Sequence, residues 1–312
     1  MHTVLVSHPL CLLHDSGEDH PESAERLKAV LRALEQEEFS YLAHETALAA
    51  TDEQLLRAHG AEHVRRLRAL EIAPGEYRHI DDDTVVSAGS VQAALMAAGA
   101  VCTAVDDIAS GRHRNAFCAV RPPGHHAERD RAMGFCLFNN VAVGALHARD
   151  AHGLAKVAVI DFDVHHGNGT QDIFATEPGT FYASTHQGDF YPYSGLPEDR
   201  GAPGGGTLIN VPLPAGSGSD HFRAAYETVI FPALTDFAPD FLFLSAGFDG
   251  HARDPLAHLR LQGADFNWLT QRALQFAQHQ CGGRLVSVLE GGYDLDVLSA
   301  CVAGHVRVLL NE

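Results

Sequence analysis

The stretch KVAVIDFDVHHGNGT (residues 156–170) decides how this chain is read. Its first half, KVAVI, is a short apolar run rich in β-branched residues, the signature of a strand covered on both faces. Directly after it come Asp161, Asp163, His165, His166 and Asn168. Carboxylates and imidazoles beside a core are costly unless they are paired or bound to a metal. Strand periodicity predicts Asp161, Asp163 and His165 on one face. A carboxylate and an imidazole two residues apart can hold one divalent ion, with oxygen and nitrogen ligands suited to zinc. A plainer reading also fits: GNGT starts the helix TQDIFATE, and the polar groups cap it.

The same arrangement recurs on either side. AFCAV (116–120) runs into RPPGHHAERD, and TFYAST (180–185) into HQGDFYPYSG. FLFLSAG (241–247) runs into FDGHARDP, and RLVSVLE (284–290) into GGYDL. TVLVS (3–7) and TLINVPL (207–213) add two further strands. Between the strands lie helical stretches. Pro21 opens one through ESAERLKAVLRALEQE, with Leu27, Val30, Leu31 and Leu34 at helical spacing. Thr51 and Gln54 resemble a capping box for the next. Residues 88–109 are Ala-rich and small-faced, as for a helix packed closely on a sheet. Further helical stretches cover 219–236, 265–280 and 294–310. Short apolar strands alternating with helices predict an α/β fold with a central, mainly parallel sheet flanked by helices. Ligands of such sheets bind at the carboxyl ends of the strands, which is where the polar clusters fall. No repeat, low-complexity tract or linker divides the chain, so residues 1–312 are expected to form a single domain.

Composition narrows the partners. A formal net charge of −18 argues against nucleic acid as a partner, because phosphate binding needs a basic surface. No uninterrupted apolar run of membrane-spanning length and no signal peptide is apparent, so a cytoplasmic protein without a membrane partner is expected. The six cysteines are scattered without C-x-x-C spacing, which points away from a disulfide scaffold or a thiolate zinc site.

A catalytic zinc usually has three protein ligands and an open position. Asp249, in SAGFDGHARDP, leaves its strand at the same rim and is the candidate third ligand. In RPPGHH a stiff loop presents His125 and His126, a pair suited to moving protons to and from water and a leaving group. Asp161 and Asn168 are natural orienting partners for them. Tyr293, after a double glycine, can donate a hydrogen bond to a developing oxyanion. Phe135 in MGFCLFNN and Tyr191 in GDFYPYSG either line a narrow passage for an alkyl chain or anchor their loops.

Taken together, RPPGHHA, GFCLFNN, DFDVHHGNGTQ, SAGFDGHARDP and LEGGYDL resemble, in order and separation, the zinc-dependent histone deacetylase superfamily. The resemblance is closest to its class II branch and the bacterial histone deacetylase-like amidohydrolases, and it covers roughly residues 5–310. It implies an arginase/deacetylase fold and hydrolysis of the amide of N-acetyl-lysine. By the same resemblance Asp163, His165 and Asp249 hold zinc, and Asp161 becomes the partner of His125 rather than a ligand. His126 is then the general base and acid, and Tyr293 activates the carbonyl. Gly134, Phe135, Tyr191, Leu256 and the rim residue Asp83 contact substrate. A structural potassium is implied beside Asp161, Asp163, His165, Ser184 and Thr185. The implied substrates are acetylated lysine side chains of proteins or small acetylated amines; whether the chain is a homo-oligomer is left open.

Several positions refine the resemblance. Asn168 matches class II members, where class I members carry aspartate. Tyr191 replaces the phenylalanine usual in the tunnel. Leu256 stands seven residues after Asp249, where a polyamine-selective relative carries glutamate. Tyr293 is retained, unlike the histidine of the weakly active class IIa enzymes. Acetylpolyamines or longer acyl-lysines are the nearest alternative substrates. A two-manganese guanidine hydrolase would need more aspartates at the strand ends, and a binding module without turnover would not need the histidine pair with Tyr293.

Overall fold

The computed structural model describes residues 3–310. Its strands are β1 (Thr3–Ser7), β2 (Ala43–Thr46), β3 (Arg78–His79), β4 (Val85–Val86), β5 (Asn115–Cys118), β6 (Val157–Asp161), β7 (Thr180–Gln187), β8 (Thr207–Leu213), β9 (Phe241–Ala246) and β10 (Leu285–Leu289). The α-helices are α1 (Ala24–Leu34), α2 (Asp52–Ala58), α3 (Ala61–Arg68), α4 (Ser90–Ala109), α5 (Asn140–His152), α6 (Asn168–Ala175), α7 (Ser219–Ala225), α8 (Phe231–Phe237), α9 (Gly263–Gln280) and α10 (Leu295–Leu310). β3 and β4 form a small antiparallel ribbon. The other eight strands make one wholly parallel sheet in the order β2-β1-β5-β10-β9-β6-β7-β8.

Helices cover both faces of this sheet. Along β5, Cys118 bonds to the Ala100 carbonyl of α4, while the preceding Phe117 packs edge-on against His305 of α10. Ser287 of β10, in register with Phe117, also bonds to His305, and His305 bonds to Thr270 of α9. Successive residues of a strand point to opposite faces, so α4 lies on one side and α9 with α10 on the other. The four central strands β5, β10, β9 and β6 are therefore buried throughout, which explains their unbroken apolar runs.

α4 is long and apolar enough, by length and composition, to cross a membrane, although Ser90, Gln92, Thr103, Asp106 and Asp107 interrupt its apolar run. Two thirds of that window is buried in the protein. Its small residues serve close packing: a Cβ at Gly99 would stand within 2 Å of the Leu48 carbonyl oxygen.

Three expectations change at element ends. The helix expected from Pro21 begins only at Ala24, because Glu22 turns inward to Arg121 instead of joining a helical turn. The helix expected over 219–236 is interrupted by a π turn at Tyr226–Ile230, just before Pro232, which has no N–H to donate into a regular helix. β6 stops at Asp161, so Asp163 and His165 lie beyond the strand and the one-face argument for them does not apply. The capping box at Thr51 and Gln54 forms as expected.

Candidate active site

The order of the central strands brings the polar segments together. β5 delivers His125 and His126, β10 delivers Glu290 and Tyr293, β9 delivers Asp249, and β6 delivers Asp161, Asp163 and His165. These strands are neighbours and parallel, so their carboxyl ends open onto one rim.

Asp163, His165 and Asp249 are buried, and one donor atom from each lies within 4.8 Å of the others. Backbone amides aim the carboxylates. The Gly291 N–H donates to Asp163 Oδ2 (2.8 Å), and the Val164 N–H to Asp249 Oδ1 (2.9 Å). The opposite oxygens, Asp163 Oδ1 and Asp249 Oδ2, face His165 Nδ1 at 3.1 and 3.2 Å. Glycine is required around them: a Cβ at Gly291 would stand 2.1 Å from Asp249 Oδ2, and one at Gly247 2.0 Å from Asp163 Oδ2. Burial and the facing Asp163 push the Asp249 carboxyl up to about 7. Burial disfavours charge on His165, yet its bonds to Asp163 and Asp249 outweigh that and raise it to about 10. Two buried carboxylates crowded against one imidazole are a natural seat for a metal cation, which would replace the proton between them. Two carboxylate oxygens and a ring nitrogen are a donor set that fits zinc and leaves a coordination position open.

The histidine pair stands beside this group with its rings 4.0 Å apart. His125 Nδ1 donates to Asp161 Oδ2 (3.0 Å), which also accepts from the Tyr182 hydroxyl (3.1 Å). Burial would lower the His125 pKa, but the Asp163 and Asp161 carboxylates raise it to about 10. His126 differs: burial, then the neighbouring His125 and His165, hold its pKa well below the ordinary value. Its Nδ1 bonds to Asn168 Oδ1 at 2.8 Å. The amide nitrogen of Asn168 in turn donates to Glu128 Oε1 (2.8 Å), which fixes the amide's orientation. Nδ1 of His126 therefore carries the hydrogen, and its Nε2 lone pair is free. Asn168 is also the first residue of α6, so the helix-start reading of GNGT and the orienting role coincide.

A buried ionic cluster, which sequence reasoning missed, supports the rim from below. Glu22 is fully buried and bonds to Arg121 Nε and Nη2 (2.6 and 2.7 Å) and to Arg26 Nη1 (3.0 Å). Burial would raise the Glu22 carboxyl, but Arg121 and His14 hold it well below its usual range. Arg26 also donates to the carbonyls of Gly292 (2.6 Å) and Glu290 (2.5 Å), and its guanidinium lies 4.8 Å from the Tyr293 ring centre. It fixes the GGY turn from beneath. Glu290 Oε2 accepts from the backbone of Gly124 (2.6 Å) and His125 (3.2 Å), tying the histidine loop to β10. The one signal in the sequence was Glu290 itself, an acid at the end of a buried strand.

Above the polar floor lies a cavity of about 200 Å³ lined in part by Phe135, Phe190, Tyr191 and Leu256, with His126, His165 and Tyr293 among its other walls. Phe190, also not singled out in the sequence, stacks on His165 (5.5 Å, 21°). Tyr191 meets His126 edge-on at 5.4 Å, and Phe135 meets Tyr293 edge-on at 6.2 Å. Gly134 packs against the His126 ring, and Asp83 stands at the cavity wall. Ser184 and Thr185 lie on β7 behind the site, bonded to His186 (2.9 Å) and Tyr226 (3.0 Å).

A buried carboxylate–imidazole group beside a histidine pair and a tyrosine, at the carboxyl rim of a parallel sheet, defines a hydrolase of the arginase/deacetylase fold. Comparison with known proteins narrows this class: the chain belongs to the histone deacetylase family, whose domain model matches residues 20–309. It is 39% identical to histone deacetylase 14, chloroplastic, of Arabidopsis thaliana, over 96% of this chain and 75% of that protein. It is likewise 39% identical to a histone deacetylase-like amidohydrolase of Pseudomonas aeruginosa, over 91% of this chain and 74% of the relative. A probable deacetylase of Archaeoglobus fulgidus is 36% identical over 95% of this chain and 82% of its own length. Among solved structures, the crystal structure of the HDA15 HD domain superposes with a TM-score of 0.91 at 37% identity, covering 100% of this chain and 88% of that one. The family is zinc-dependent and hydrolyses acetyl amides.

Proposed function

We propose that the chain deacetylates N-acetyl-lysine side chains of proteins or peptides, using one zinc ion held by Asp163, His165 and Asp249. The observation that carries this reading is the cavity of about 200 Å³, walled by Phe135, Phe190 and Tyr191, that reaches His126, Tyr293 and His165, the last grouped with Asp163 and Asp249. Its aromatic and aliphatic walls, Phe135, Phe190, Tyr191 and Leu256, suit the alkyl chain of a lysine side chain. When bound, the zinc supplies Lewis-acid polarisation of the amide carbonyl and acidifies water.

The chain's own groups do the rest. His126 Nε2 takes the proton of the attacking water, because its Nδ1 is committed to Asn168. His125, charged and anchored on Asp161, keeps a positive field beside it. The Tyr293 hydroxyl, held protonated by burial, donates to the oxyanion as it forms. His126 then returns its proton to the departing lysine amine, giving acetate and free lysine. By the family resemblance a structural potassium would lie near Asp161, Asp163, His165, Ser184 and Thr185, of which Asp161 and Ser184 are register partners across β6 and β7.

Leu256 at the cavity wall favours peptide over polyamine, since it offers a cationic substrate no carboxylate. The net charge of −18 supports the absence of nucleic acid among the partners. A panel of acetyl-lysine peptide, longer acyl-lysine peptides, acetylputrescine and acetylspermidine on zinc-loaded protein tests the reading. Preferred turnover of the acetyl-lysine peptide is expected. Faster turnover of an acetylpolyamine would replace it with the polyamine reading.

A further inference from the structure

At the corner where α4 turns into β5, two buried polar atoms lack hydrogen-bond partners among the described residues. Asp107, in the last turn of α4, is 2% exposed. One of its oxygens, Oδ1, accepts from Arg112 Nη1. Among the described residues its Oδ2 has no hydrogen-bond partner, and neither has the buried Nδ1 of His113. A buried polar atom left unpaired is costly, so two at one place ask for something that binds there. A third donor comes from Glu45 on β2. A carboxylate oxygen of Glu45, one of Asp107 and a ring nitrogen of His113 lie within 4.8 Å of one another. Two segments far apart in sequence, β2 and the α4–β5 turn, thus bring a metal-type donor set to one point.

We propose that Glu45, Asp107 and His113 form a second metal site, for a divalent first-row transition ion with zinc the best fit, which fastens the edge strand β2 to the α4–β5 turn. Two carboxylates and an imidazole match zinc, whereas calcium or magnesium favours an all-oxygen set. With Arg112 offsetting one of the two carboxylates, the corner keeps a net negative charge that a dication neutralises. Donors sharing one zinc stand about 3.4 Å apart in a tetrahedron, and Glu45, partly exposed on an edge strand, can swing to close the set.

The adjacent Asp106 belongs to a different arrangement. Its Oδ1 already accepts from His147 and His152 of α5 at 2.7 Å each, and Arg57 donates to the other nitrogen of His147 at 2.7 Å. Those groups satisfy one another and serve as a control.

The test is equilibrium dialysis of the full chain against buffered free zinc, with bound metal counted by elemental analysis, on wild type, Glu45→Gln, His113→Ala, His152→Ala and Asp249→Ala. Wild type should hold one equivalent more than either Glu45→Gln or His113→Ala. His152→Ala should match wild type, and Asp249→Ala should keep the corner equivalent even if the proposed catalytic metal is lost. Zinc should also raise the melting temperature of wild type more than that of His113→Ala. Equal stoichiometry in wild type, Glu45→Gln and His113→Ala, as expected if only water sits at the corner, overturns the proposal.

Discussion

Replacing Gly134 by alanine tests how closely the position of the His126 ring governs turnover. Gly134 has φ +57°, and a Cβ there would stand 2.5, 2.6 and 2.8 Å from Cδ2, Cγ and Cβ of His126. Carbon atoms in ordinary contact are ~3.5–4.0 Å apart, so the ring must retreat by about 1 Å. It has little room to do so. Asn168 holds its Nδ1, the His125 ring lies 4.0 Å behind it, and Tyr191 abuts its edge at 5.4 Å. A misplacement of about 1 Å costs on the order of 10²-fold in rate. The backbone adds its own penalty of about 1–2 kcal/mol for alanine in the left-handed region.

Gly75→Ala separates the two effects. Gly75 has φ +83°, and a methyl group added there would meet nothing within 4 Å, so that variant bears the backbone penalty alone. Steady-state kinetics on an acetyl-lysine peptide, zinc content and urea unfolding are measured on both. Gly134→Ala should lose about 10²-fold in kcat at unchanged zinc content, while Gly75→Ala loses only stability. A folded Gly134→Ala enzyme within a few-fold of wild-type kcat would refute the reasoning.

Three further outcomes follow from the same geometry. Tyr293→Phe should retain zinc but lose roughly 10²–10³ in kcat, the usual effect of removing one oxyanion donor; near wild-type turnover would remove the hydroxyl from the mechanism. Leu256→Glu should raise the kcat/KM of acetylspermidine relative to acetyl-lysine peptide by about tenfold or more, the worth of one hydrogen bond to a charged group; an unchanged ratio would discount this position in selectivity. His59 gives a pH dependence of stability. Its Nδ1 donates to the Glu128 carbonyl (3.0 Å) and its Nε2 accepts from the Asn139 N–H (2.9 Å), so only the neutral ring fits. Burial and the neighbouring His63 lower its pKa to about 3. Between pH 6.5 and 3 the unfolded chain therefore binds the extra proton, and this contribution, complete above about 6.5, is lost as pH falls. At pH 5 the loss is about 2 kcal/mol, and urea unfolding of His59→Gln should show a correspondingly flatter decline between pH 7.5 and 5.

The parts of this fold that were legible in the sequence share one cause. β5, β6, β9 and β10 are buried on both faces, so each reads as an apolar run that needs no partner to be recognised. A cluster of aspartate, histidine and glycine directly after such a run marks the point where the strand leaves the core. That is why Asp163, His165, Asp249 and the histidine pair could be named, although their mutual placement could not. The period-2 rule grouped Asp161 with Asp163 and His165, and it failed because β6 ends at Asp161, which is bonded instead to His125 and Tyr182. The support beneath the site was hidden for the opposite reason. Glu22 and Arg26, four apart, read as an ordinary solvent-facing helix pair, and nothing local says that both are buried against Arg121 some hundred residues on. Yet Arg26 clamps the carbonyls on either side of Gly291 and lies under Tyr293. The position of the tyrosine hydroxyl therefore depends on a charge network seated in the first helix, far from the motifs that bear the chemistry. A change in that network should disturb turnover before it disturbs metal content, because none of its members touches Asp163, His165 or Asp249 directly.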